Sequence, residues 1–136
     1  MGPPPLRRGA DTTALSPGVV IRTLDGHAAA RAIDDKKGES TVILAVGEIL
    51  AITDLFVISS AANRRLVRTL AEEVEEQVFL LHDRKPLRVE GMAELQWVLL
   101  DYGDVVVHVF TDEMRRFYEI ERLYRDVERV DWHTGA

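Results

Sequence analysis

Asp101, Tyr102, Asp104 and His108 fall within the stretch W-V-L-L-D-Y-G-D-V-V-V-H-V-F (97–110), between and inside two apolar runs. Two carboxylates, a phenol and an imidazole at such spacing have three chemical uses: holding a cation, moving a proton, or pairing with a basic partner. A magnesium-dependent transferase needs carboxylates converging from strands and a glycine-rich phosphate cradle ahead of a helix. The segment before the longest helical pattern reads S-S-A-A-N-R-R (59–65), without glycine. No G-x-S-x-G or H-E-x-x-H motif occurs. His27, His82, His108 and His133 lack the pair spacing of a zinc helix, and the absence of cysteine removes thiolate chemistry. No catalytic residue, cofactor or metal is expected. Two readings of the aspartates stay open: turn residues bonding nearby backbone, or ligands for a partner's Lys and Arg. Trp97 is likewise either a core residue or an interface anchor.

The positions of these groups depend on the elements around them. If Tyr102 and Gly103 form a two-residue turn, Asp101 faces Asp104 and Trp97 pairs with His108; a longer loop shifts that register. S-T-V-I-L-A-V (40–46), T-D-L-F-V-I-S-S (53–60), P-L-R-V-E-G (86–91) and the two runs 95–100 and 105–110 read as strands. Helical composition runs from Leu24 to Lys37, with Asp25 as N-cap and Gly38 as stop. Between Ala61 and His82 the residues Leu66, Val67, Leu70, Val74, Val78 and Leu81 recur at helical spacing, and Pro86 closes that element. A last helix is expected from Asp112 to Val127, capped by Thr111, with Met114, Phe117, Tyr118, Tyr124 and Val127 as its apolar stripe. The order predicts an α/β single domain with a mixed five-stranded β-sheet covered by helices. Its expected span is 21–128, with a mobile N-terminal tail over 1–20 and a C-terminal tail over 129–136.

Charge narrows the function further. Lys and Arg number 17 against 23 Asp and Glu, for a net charge of −6. That balance opposes a protein that wraps nucleic acid. Residues 86–110 hold Glu90, Glu94, Asp101 and Asp104 against Arg88 alone, a surface suited to a basic partner. In the long helix, Arg64, Arg65 and Arg68 precede Glu72, Glu73, Glu75 and Glu76, against the helix dipole. They form either a solvated face with an Arg68–Glu72 pair or a face toward an external partner. No apolar run reaches the ~20 residues of a membrane span, and no signal-peptide core follows the first basic residues, so the expected address is cytoplasmic.

T-D-L-F-V-I-S-S, V-E-G, W-V-L-L-D-Y-G-D-V-V-V-H-V-F and M-R-R-F-Y-E-I-E-R-L-Y together resemble the ribosomal silencing factor family, the iojap-like or RsfS proteins, over about residues 24–126. The resemblance implies a nucleotidyltransferase-like fold without catalytic apparatus. It implies a non-enzymatic translation repressor that binds the large ribosomal subunit through ribosomal protein L-fourteen. There it obstructs joining of the small subunit when nutrients are scarce. The motif positions are Asp54, Glu90, Gly91, Trp97, Asp101, Tyr102, Gly103, Asp104, His108, Arg116, Tyr118 and Glu121. Of these, Trp97, Asp101, Tyr102, Asp104, His108, Arg116, Tyr118 and Glu121 are the expected partner-binding residues. The chain departs from the family pattern at Ser59-Ser60-Ala61-Ala62, where a Ser-Gly-like turn is usual, and at Leu123-Tyr124, where Leu-Trp is common. A residual nucleotidyltransferase or nucleotide-binding enzyme, with Asp101 and Asp104 as its metal-binding candidates, and a large-subunit assembly factor are the rival functions. No sequence-specific nucleic acid or membrane partner is expected, and a homodimer is expected when the partner is absent.

Overall fold

The computed structural model describes residues 17–133, with side chains from Leu24 onward. Its elements are α1 (Pro17–Asp35), β1 (Glu39–Ala45), α2 (Gly47–Leu50), β2 (Leu55–Ala61), α3 (Arg64–His82), β3 (Arg88–Glu90), β4 (Trp97–Asp101), β5 (Val105–Thr111), α4 (Asp112–Tyr118), α5 (Ile120–Leu123) and β6 (Arg129–Val130). The strands form one sheet in the order β3-β4-β5-β2-β1-β6. Only β2 and β5 run parallel; the other pairs are antiparallel. Both central strands are buried on both faces, which is why L-F-V-I-S-S-A and V-V-V-H-V-F-T are nearly continuous apolar runs.

Each face of the sheet has its own core. On one face, Val67, Leu70, Ala71, Val74 and Val78 of α3 and Ala29, Ala32 and Ile33 of α1 pack on Val57, Val98, Leu100, Val107 and Val109. Each large aliphatic side chain buried there contributes roughly 1.5–3 kcal/mol. On the other face, Leu44, Phe56, Ile58, Val106 and Phe110 lie beneath Met114, Ile120, Tyr124 and Val127. The outer face of α3 carries its charges, and Asn63 caps it by accepting from the Leu66 N–H at 2.8 Å.

Several sequence expectations change in detail. The sheet has six strands because Arg129 and Val130 pair with Leu44 and Ile43, and Trp132 is buried beside them, its Nε1 donating to the Thr41 carbonyl at 3.0 Å. Thus part of the expected C-terminal tail belongs to the sheet; residues 134–136 lie outside the described residues. The expected N-terminal tail likewise lies outside them up to residue 16, whereas 17–20 are already helical. Asp25 is therefore inside α1 and cannot cap it. Helix α3 stops at His82, because Asp83 adopts a left-handed conformation at φ 55°, before Pro86 is reached. The last helix breaks at Glu119, φ 48°, into α4 and α5.

The β4–β5 hairpin turns one residue later than the two-residue reading requires. Trp97 pairs with Phe110, Leu99 with His108 and Asp101 with Val106. The Tyr102 N–H donates to the Val105 carbonyl at 2.8 Å, leaving Gly103 and Asp104 as the turn. Gly103 at φ +91° supplies the conformation that such a turn needs at its first position. The expectation that failed is the turn at Tyr102-Gly103; the shifted register is the one adopted. Trp97 and His108 remain on one face and in contact, now diagonally across the strands.

Candidate partner-binding surface

Strand alternation sends Trp97, Leu99 and Asp101 to the face covered by α4 and α5, and Val98 and Leu100 to the opposite core. Trp97 lies at the end of β4, next to the edge strand, and is only half-buried. Its indole stacks on Phe110 at 4.8 Å and meets Tyr118 at 4.9 Å between ring centroids. Tyr118 in turn meets Phe117 edge-on at 5.0 Å. Phe117 is 73% exposed, so this aromatic ledge emerges from the core into solvent.

His108 lies beneath this ledge and is 4% exposed. Its Nδ1 accepts from the Trp97 Nε1–H at 3.1 Å, so the neutral ring carries its proton on Nε2, which has no partner among the described residues. Phe56 packs on the ring at 4.5 Å. Burial lowers the imidazole pKa from 6.5 to about 4. A buried neutral imidazole supports Trp97 from below.

The acidic residues separate into different roles. Asp101 Oδ1 accepts the Gly103 N–H at 2.8 Å, and its Oδ2 accepts from Arg88 at 3.1 Å. It is a turn residue with a partly solvated carboxylate. Asp104 accepts from Arg84 at 3.1 Å, and Arg84 also donates to the Tyr102 carbonyl at 2.8 Å. The Tyr102 ring is buried on the α1/α3 face, with its hydroxyl unpaired among the described residues, and burial, then Glu75 and Asp25, raise its pKa. Thus Trp97, Tyr118 and His108 form one cluster, while Asp101, Tyr102 and Asp104 lie at the other end of β4. Arg116 is exposed, and Glu121 pairs with Arg115 at 2.9 Å.

Two supporting residues, Arg84 and Arg115, were missed from the sequence, and Asp25 was read as a helix cap. Arg84 reaches past Asp104 to Asp25 on α1, a carboxylate 1% exposed that also accepts from the His82 Nδ1–H. Burial lowers the Arg84 pKa, but Asp104 and Asp25 outweigh it and the net shift is upward. The signal was present: Asp25 stands four residues before Ala29 and eight before Ile33, on the buried stripe of α1, where a carboxylate requires a cation. Arg115 donates to Glu121, to Ser60 Oγ at 3.1 Å and to the carbonyls of Glu39 and Ser40 at 3.0 and 2.8 Å. It fastens the point where the β1–β2 register shifts and Ser40 sits at φ 49°. Adjacent arginines in the sequence do not reveal which one turns inward. At Gly91, φ +90°, an added Cβ would meet the Trp97 carbonyl oxygen at 2.1 Å, so the approach to β4 demands glycine.

No group of three or more His, Cys, Asp or Glu able to hold a metal occurs among the described residues, and no helix there is long and apolar enough to cross a membrane. The surface outlined by these side chains is an aromatic ledge with a carboxylate-bearing turn, carried on a mixed α/β sheet. Residues 23–135 match the sequence profile described as ribosomal silencing factor during starvation, and the chain belongs to this family. It is 38% identical over 103 residues to the ribosomal silencing factor RsfS of Halalkalibacterium halodurans, covering 76% of this chain and 87% of that one. The Bacillus subtilis protein of the same name is 36% identical over 110 residues, covering 79% and 90%. A mouse relative, 25% identical over 128 residues and covering 90% of this chain and 56% of its own, is named mitochondrial assembly of ribosomal large subunit protein 1. A crystal structure of a Chromobacterium violaceum protein superposes with a TM-score of 0.73 at 27% identity, over 84% of this chain and 93% of that one.

Proposed function

We propose that this protein is a non-enzymatic repressor of translation that acts in the cytoplasm. It binds the large ribosomal subunit through ribosomal protein L-fourteen and sterically blocks association of the small subunit. The observation that carries this reading is the solvent-facing ledge of Trp97, Tyr118 and Phe117, because large exposed aromatic groups anchor protein interfaces. Asp101 and Glu90 supply carboxylates on the same sheet face, suited to a basic ribosomal protein. On this reading Trp97, Tyr118 and Arg116 touch the partner. His108 and Glu121 hold those contacts in place, whereas Tyr102 and Asp104 fix the turn that presents Asp101. Without the partner, the same ledge is available for a homodimer.

The test is a purified translation system in which the protein is added before or after the subunits join. A steric repressor inhibits in proportion to the fraction of large subunits occupied, needs no nucleotide, and acts more weakly on preformed joined ribosomes. Equal inhibition in both orders, or inhibition that requires nucleotide and turnover, rejects the reading. The mouse relative's name favours a second function, assembly of the large subunit. It shares the binding surface but predicts immature large subunits in cells lacking the protein.

A further inference from the structure

Helix α3 carries charges in an order that its own backbone opposes. Arg64, Arg65 and Arg68 occupy its first five residues, its first turn has no acidic residue, and Glu72, Glu75 and Glu76 follow. Cations near a helix N-terminus are destabilising, and Arg64 and Arg68, four residues apart, repel each other as well. Arg68 meets Glu72 only at 4.0 Å, with both side chains at least half exposed, which relieves little. Arg64 and Arg65 are exposed and have no ion pair among the described residues. All three point away from the buried stripe of Val67, Leu70 and Val74.

Topology keeps the exposed arginine of α4 apart from these three. The parallel strands β2 and β5 end side by side, with Ala61 paired to Thr111, and α3 and α4 begin just beyond those two residues. Arg116 is exposed on α4, whereas its neighbour Arg115 is taken up by Glu121 and Ser60. Helix α3 packs on one face of the sheet and α4 on the other, and α4 opens with Asp112 and Glu113, so the exposed cationic group at this end is that of Arg64, Arg65 and Arg68. The carboxylates of Asp101 and Asp104 lie at the opposite end of β5. A chain with net charge −6 thus presents three arginines together at the start of one helix, at a cost to that helix.

We propose that Arg64, Arg65 and Arg68 dock on the phosphate backbone of RNA as a second contact, separate from the aromatic ledge. This rests on the ribosome-binding reading above. Arginine rather than lysine fits the role, because the planar guanidinium pairs bidentately with phosphate oxygens. The contact carries no base sequence information: exposed arginines on one helix face fix position and orientation while the protein contact selects the site.

Binding of the full-length protein to purified large subunits, measured across a potassium chloride series, tests this. The comparison is between the wild type, an Arg64→Gln/Arg65→Gln/Arg68→Gln variant and a matching triple Lys variant. The Gln variant should bind roughly tenfold or more weakly at low salt, and its logarithmic salt slope should be shallower by about 2 to 3, near one unit per lost phosphate contact. The Lys variant should recover most of the slope, and the Gln variant should melt no lower than the wild type. Unchanged affinity and slope in the Gln variant overturn the proposal. So does an equal loss of binding to isolated ribosomal protein L-fourteen, which would assign the arginines to a protein contact. Failure of the wild type to bind large subunits at any salt would instead reject the ribosome-binding reading itself.

Discussion

The Trp97 Nε1–H donates to His108 Nδ1 across two antiparallel strands, and this bond fixes the imidazole as the neutral Nε2–H tautomer. With its pKa lowered by burial from 6.5 to about 4, the folded protein resists protonation at His108 while the unfolded chain accepts the proton near 6.5. The unfolded state then binds more protons between those values, so stability is lost as pH falls from about 6.5 to 4. The full loss from this group is about 3 kcal/mol. Urea midpoints should show a steeper acid decline for the wild type than for His108→Gln. Parallel curves for the two would mean that His108 titrates normally.

Arg84 should be worth more to stability than a surface ion pair. Arg84→Met leaves Asp25 buried with His82 as its remaining side-chain partner, and the expected cost is about 2–3 kcal/mol, discounted because Arg84 is partly exposed. An Asp25→Asn/Arg84→Met double variant should lose less than the sum of the single losses. Additive losses in chemical denaturation would show that the two side chains are not coupled.

The two aspartates of the turn should respond differently. Asp104→Asn weakens the tie to Arg84 and should lower the melting temperature, at a cost of about 1–2 kcal/mol. Asp101→Asn keeps an acceptor for the Gly103 N–H but removes the charge, so it should weaken large-subunit binding with a smaller change in melting temperature. Identical effects of the two variants on both measurements would contradict this division.

The ledge residues should separate binding from folding. Phe117→Ser removes a side chain that is 73% exposed and should leave stability within about 0.5 kcal/mol while weakening retention of large subunits. Trp97→Ala also removes the Phe110 stack and the His108 bond, so it should lower both affinity and melting temperature. Full retention of large subunits by Phe117→Ser would exclude the outer ledge as the anchor.

Periodicity made the long helix and the central strands legible, because Val67, Leu70, Val74 and Val78 repeat at helical spacing and the buried strands are β-branched runs. The Thr111 cap was legible too, and its hydroxyl accepts from the Met114 N–H at 3.3 Å. The hairpin register was not, since Tyr102-Gly103 and Gly103-Asp104 both place a glycine in the turn and only the pairing of both strands decides between them. Glu119 and Asp83 were illegible for another reason: non-glycine residues in left-handed conformations leave no compositional mark, and tertiary packing imposes them. The same applies to Arg84 and Asp25, which meet across 59 residues of sequence.

The parallel pairing of β2 with β5 bears on how the chain reaches this structure. Leu55 pairs with Val105, and the 50-residue offset is kept along the whole ladder to Ala61 and Thr111. All of α3 and the first hairpin strand must be synthesised before the centre of the sheet can close. A nascent chain ending before residue 105 holds β1 to β4, but the edge of β2 that pairs with β5 is still unsealed. Such long-range closure is slow, and an open apolar edge is prone to association with other chains. Completion of β5 is therefore the step in synthesis that joins the two halves of the sheet, covering the edge of β2 before Arg129 and Val130 complete the far side at β1.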